Sequence, residues 1–163
     1  MTTYTIIQVA AVAVIGLVAG LFYSYDCSVI GGLGNLTDRE YLSAFQSINR
    51  AILNPYFFIS FMGSLVMLPV AAWMSYKDGQ AASFYYLLSA AILYAVGVFG
   101  ITMAGNVPLN NMLDKFDITH ASAEAIKGMR QRFEVKWNLL QHARTYAAIL
   151  AFILSIISLT KRS

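Results

Sequence analysis

Nine residues, Trp137 to Thr145, read W-N-L-L-Q-H-A-R-T and carry an imidazole and a guanidinium to the edge of an apolar run. The fifteen residues that follow, Tyr146 to Thr160, contain no charge. An ionisable group taken into a membrane helix costs about 2.5 to 3.5 kcal/mol on insertion scales, so it is normally inward-facing and functional. On a helix, Trp137, Gln141 and Arg144 share one face, and Asn138, His142 and Thr145 the adjoining one. Burial and a neighbouring cation both disfavour a charged imidazole, which makes His142 a candidate base. Arg144 is a permanent cation suited to a carboxylate, phenolate or enolate oxygen.

The elements that must position these groups follow from composition. The chain has 163 residues, 58% hydrophobic and 12% charged, well below the quarter-charged usage of a soluble domain. The reading is an all-α membrane protein, a single integral membrane domain over residues 1–163, built as a bundle of four transmembrane helices. The spans are expected at about 6–25, 55–76, 81–105 and 139–160, within uncharged runs from Ile6 to Tyr25, Pro55 to Tyr76 and Ala81 to Gly105 and the run after Arg144. No basic segment precedes the first run, which is also too long for a signal-peptide core, so it is read as a retained span. Gly16 and Gly20, four apart, suit close helix packing.

Both long crossovers are expected to carry amphipathic helices on one membrane face. Thr37-Asp38-Arg39-Glu40 has the form of a capping box, and Tyr41, Phe45, Ile48 and Ile52 recur at helical spacing before Asn54-Pro55 ends the segment. Pro69 is expected to kink the second span. The third is expected to end at Gly105 to Asn111, where Pro108 breaks the helix. Beyond it, Ile126, Met129, Phe133, Trp137 and Leu140 predict one long helix from about Ser122 to about Leu159.

Four alternating spans bring Tyr25 and Asp26, Asn49 and Arg50, Asn106 and Asn110, and the Trp137 stretch to one mouth of the bundle. The other mouth reads as unfurnished, with only the Lys77 turn and the termini. The candidate catalytic residues are His142, Arg144, Asn106 and Asn110. Trp137, Asn138, Gln141, Thr145, Tyr25, Asp26, Asn49 and Arg50 are the candidate substrate-binding residues. The competing reading is polar glue between helix ends, with no ligand.

Scattered basic residues speak against nucleic acid. The lone Cys27 excludes an internal disulfide, and no metal site is expected, since His120 and His142 belong to no ligand cluster. Seven basic residues on the furnished side (Arg39, Arg50, Lys115, Lys127, Arg130, Arg132 and Lys136) face three on the other (Lys77, Lys161 and Arg162). Seven acids offset the first group, so orientation stays unassigned.

The chain resembles the small four-helix membrane proteins of the anthrone oxygenase-like, or DUF1772, family. The resemblance rests on A-G-L-F-Y-S-Y at 19–25, Q-S-I-N-R-A-I-L-N-P at 46–55, G-N-V-P-L-N-N at 105–111 and W-N-L-L-Q-H-A-R-T at 137–145. It departs from the bacterial pattern at Leu140 and Gln141, where a second tryptophan and an asparagine are common. It implies oxidation of an anthrone to an anthraquinone by molecular oxygen, an activity known for some members. No cofactor is then expected, with oxygen as co-substrate; haem and quinone remain alternatives. The expected partners are the lipid bilayer, a small hydrophobic aromatic, quinone or lipid, and, as a further option, a second copy of the chain. The location is a multi-pass integral membrane protein of the bacterial cytoplasmic membrane. The alternative function is a non-catalytic membrane module that binds a quinone, a lipid head group or a partner protein.

Overall fold

A computed structural model describes residues 3–161, and Arg162 of the charge comparison lies outside them. Among the described residues all regular structure is helical. Four helices are long and apolar enough to cross a membrane: α1 (Thr3–Gly34), α3 (Pro55–Lys77), α4 (Ala81–Asp114) and α5 (Ala123–Thr160). The shorter α2 (Asp38–Ala51) lies in the first crossover. The spanning helices close a ring in which α1 packs on α3 and α5, and α4 packs on the same two.

Local chemistry explains the boundaries. Thr37 and Glu40 form the expected capping box at the start of α2. The same contact, a Thr37 hydroxyl on the carboxylate, holds Glu40 below its usual pKa. Asn54 caps α3 by accepting from Phe57 N, with Pro55 in the first turn, where a missing N–H costs nothing. Ser122 caps α5, one unbroken 38-residue helix, as the stripe from Ile126 to Leu140 predicts. Helix α3 runs through Pro69 as one element.

Pro108 does not break its helix. Instead, α4 widens into π-helical turns over Tyr94–Gly100 and Thr102–Asn106 and continues to Asp114. Proline lacks the N–H that would bond the preceding turn, and its ring crowds that turn's carbonyl; a wider turn relieves both. Helix α1 has its own π-helical turn at Tyr25–Val29, at the same end of the bundle.

There are two apolar cores. The bundle core gathers Ile15, Phe22, Phe61, Leu68, Leu87, Tyr94 and their neighbours. A second core, of Tyr41, Leu42, Phe45, Leu113, Ile118, Ile126, Phe133 and Trp137, binds α2 to the segment after α4 and to the first half of α5. Polar contacts fix this cap. Arg130 donates to the carbonyls of Gly34 and Leu36, pairs with Asp38 and Glu134, and lies over the Tyr41 ring. Arg39 donates to the Ile118 carbonyl, and Gln46 to those of Leu113 and Phe116. Burial then pushes the Tyr41 phenol above its ordinary pKa.

The far mouth is better furnished than the sequence suggests. Gln8, fully buried, donates to Ser83 and Ser158, and Tyr4 reaches Ser75 and Ser83, so α1, α3, α4 and α5 are joined by one hydroxyl and amide network. Single serines in apolar runs carry no periodic signal, which hid this network. Interhelical hydrogen bonds in bilayers contribute about 0.6 to 2 kcal/mol each. Gln8→Leu is therefore expected to destabilise the bundle by about 1 to 2 kcal/mol. Thermal unfolding in detergent should register the loss, while ligand binding at the other mouth stays unchanged. Of the two helix-packing glycines, a Cβ on Gly16 would meet Phe152 at 2.9 Å, whereas Gly20 has open space.

Candidate functional site

At the junction of the two cores lies a cavity of about 90 Å³. Its walls are apolar and aromatic (Leu21, Phe22, Tyr25, Ile52, Leu53, Phe57, Val107 and Trp137) with four polar groups, Asn49, Thr102, Asn110 and Arg144. Helix α1 supplies one side, the α2–α3 corner another, α4 a third and α5 the fourth. The lining has the composition of a small-molecule site, apolar with few polar groups, in a space smaller than the usual roughly 300 to 1,000 Å³.

Arg144 is the central charge. Its residue is 8% exposed, and among the described residues its guanidinium makes no ion pair with a carboxylate. Gln141, one turn earlier, accepts from both Nε and Nη2, and Thr102 of α4 accepts from Nη1 at 3.3 Å. Gln141 is itself held by donating to the Phe22 carbonyl and to Thr145. The guanidinium lies 4.3 Å above the Phe22 ring and 5.4 Å from that of Trp137, both within cation-π range. One N–H on each Nη is left over, since guanidinium has five donors. The cation is thus positioned by neutral acceptors and aromatic faces, with no carboxylate in contact and Asp26 acting on it only through space.

The asparagines add to this. Trp137 Nε1 donates to Asn110 Oδ1 at 2.8 Å, which leaves the Asn110 amino group as its remaining polar function. Among the described residues, Asn49 Nδ2, buried at the cavity, has no hydrogen-bond partner, and Asn106, 1% exposed, has neither amide atom partnered. It stands between Thr102 and Asn110 on one face of α4, and both of these line the cavity. Each buried unsatisfied group costs about 1 to 3 kcal/mol. The far mouth shows that this chain can satisfy buried polar groups with protein partners. Here, by contrast, Asn49 and Asn106 leave amide groups unsatisfied at or beside the cavity, as Tyr41 leaves its hydroxyl in the cap.

The site residues expected from sequence divide into three groups. Trp137, Arg144, Asn110, Asn49 and Tyr25 line the cavity, and Gln141, Thr145 and Asn106 support it from behind. His142 and Asp26 form a pair, Nδ1 to Oδ2 at 3.2 Å, between α1 and α5 and outside the cavity lining; the His142 side chain is 46% exposed. The imidazole is partly desolvated, as expected, but it does not share the pocket with the guanidinium: Gln141 and Arg144, three apart, share the inward face, while His142 falls on the adjoining, outward one. Asp26 Oδ1 and Asn138 Oδ1 are buried nearby without partners. Arg50 is not part of the site; it is exposed and bonds Asp114 at 2.7 Å, tying α2 to the end of α4.

The sequence reading missed Thr102, Phe22 and Phe57. Thr102 carried a signal, being a polar residue four before Asn106 within an apolar run. The two phenylalanines carried none, because nothing distinguishes them from lipid-facing aromatics. Among the described residues no three His, Cys, Asp or Glu side chains gather in a way that could hold a metal ion. His120 pairs with Asp117 at the exposed end of the cap, where the imidazole holds the carboxyl below its usual pKa.

Fold and site together define a multi-pass helical membrane protein with an internal cavity. Residues 57–154, more than half of the chain, match the anthrone oxygenase family, formerly DUF1772, and the chain belongs to that family. The match covers α4 and the cavity face of α5 but not Tyr25, Asp26, Asn49 or Arg50, which lie before it. Searches of the curated proteins and of the solved structures return no match.

Proposed function

We propose that the protein is an oxygenase acting on a small, flat aromatic ketone with an acidic C–H, an anthrone or a close relative, bound in the Arg144 cavity. The observation that carries this reading is a buried guanidinium without a carboxylate partner, facing a space walled by aromatic rings. Burying an unpaired cation is costly, and an anionic oxygen developing on the ligand would offset that cost. Arg144, with the amides of Asn49 and Asn110, meets the oxygen of the ketone as it becomes an enolate. Trp137, Tyr25, Phe22 and Phe57 hold the ring system.

The proton lost from the ring carbon passes through a water to the Asp26–His142 pair, which stands outside the cavity lining beside α1 and α5. The carbanion then reacts with molecular oxygen. In the net change the ring CH₂ becomes C=O: one oxygen atom forms the carbonyl, and the other leaves as water with the two hydrogens. No cofactor enters this scheme.

Purified protein in phosphatidylcholine vesicles, supplied with anthrone and air, is the direct test. Enzyme-dependent oxygen uptake matched by anthraquinone formation supports the proposal. Saturable anthrone binding without turnover would replace it with a binding module. General base removal typically costs about 10²- to 10⁴-fold in rate. His142→Gln is accordingly expected to lower kcat by about 10²-fold or more while leaving the anthrone dissociation constant unchanged. Full kcat in this variant would remove His142 from the mechanism.

A further inference from the structure

A second, larger concavity adjoins the cavity. It is a groove of about 490 Å³ between α1 and α3, walled by Leu17, Leu21, Ile52, Tyr56, Phe57 and Ile59. Leu21, Ile52 and Phe57 also line the Arg144 cavity, so these three side chains are the partition between groove and cavity. On the outer side Leu17 and Ile59 are 65% and 67% exposed. Both belong to helices that are apolar enough to cross a membrane, and Leu17 lies about 20 Å along α1 from Thr3 at about 1.5 Å per residue. At the depth of Leu17 a spanning helix meets acyl chains rather than water.

From this continuity we infer that the groove is a lateral doorway through which an apolar ligand passes from the bilayer into the Arg144 cavity. The inference rests on the proposed function only in naming the passenger. Two features fit a doorway better than a packing defect. Phe57 sits in the first turn of α3, beside the Ile52-Leu53-Asn54 corner, and stacks on Phe61 at 4.9 Å, so a turn of its ring would open the way without unwinding a helix. On the side of the cap the wall is pinned, since Trp137 is bonded to Asn110. A flat hydrophobic molecule concentrates in the membrane, so a side entrance spares it transfer through water.

The test uses Trp73→Phe, Cys27→Ser protein in phosphatidylcholine vesicles, in which Trp137 is the remaining tryptophan. The probe is 1-bromobutane dissolved in the bilayer, a contact quencher small enough to enter the cavity. Cysteine placed at position 17 or 59 and labelled with N-cyclohexylmaleimide fills the groove; cysteine at lipid-facing position 92 on α4, labelled alike, is the control. Quenching of Trp137 is expected to fall several-fold with either groove label and to stay unchanged with the control. Absence of quenching in unlabelled protein, or an equal response to all three labels, would overturn the doorway. Anthrone binding is measured separately on the unlabelled protein. A positive quenching result with no anthrone binding would keep the doorway and discard the oxygenase reading.

Discussion

Arg144→Met is expected to lower kcat for anthrone oxidation by about 10² to 10³, the usual cost of deleting one oxyanion donor. The same change is expected to leave the thermal midpoint unchanged or higher. Methionine is similar in length and apolar, and replacing a buried charge that no carboxylate contacts by a packed apolar side chain is neutral to stabilising. The orphaned Gln141 acceptor offsets part of that gain, at about 1 to 3 kcal/mol. The two opposed signs are what separate a ligand site from structural glue. Were the Arg144 network a helix tie, its loss would lower stability and spare activity. Calorimetry and oxygen uptake on one preparation decide between them, and a destabilised variant with wild-type turnover would sink the assignment.

Gly97→Val is expected to destabilise the bundle by about 1 to 3 kcal/mol as an overpacking change. A Cβ on Gly97 would lie 2.7 Å from the Cβ of Ala147, closer than real carbons approach. Neither atom is at the end of a flexible side chain, so α4 and α5 must separate. Gly105, by contrast, would meet the terminal carbons of Leu140, which can turn aside. Separation at Gly97 also draws Thr102, little more than one turn on, away from Arg144. Turnover should therefore fall along with the unfolding midpoint. Gly105→Ala, as the milder member of the pair, should retain most of both. If the two substitutions proved equal, the close α4–α5 approach at Gly97 would not be governing the packing.

The spans were legible because a twenty-residue run without charge is rare outside a bilayer, and α2 because its cap and stripe agree. The shared mouth followed from alternation alone. Arg144, Trp137, Asn110 and Asn49 could be placed there since polar groups at span ends have little choice of side. What alternation cannot supply is rotation about the helix axis to better than about 50°, half the 100° step between residues. That margin decided His142, which pairs with Asp26 instead of entering the cavity. It was equally out of reach for Pro108. Sequence rules give proline as a breaker, but a membrane helix held on both sides by α3 and α5 keeps its course by changing its hydrogen-bond register.

Those wide turns have a consequence for how the chain can vary. A π-helical turn holds one more residue than the α-turn it replaces, so it works as an insertion absorbed without a loop. Removing one residue from Thr102–Asn106 would let α4 return to regular winding with Asn110 still at the cavity and Leu113 still in the cap core. The same deletion in a regularly wound stretch would swing every residue beyond it by about 100°. The turn at Tyr25–Val29 stands in the same relation to the α1 contacts of the cap. At these turns the residue count of a span can change by one without disturbing the cavity, so lineages that keep the cavity should differ in length there and hold the count fixed in the regularly wound parts of α1 and α4.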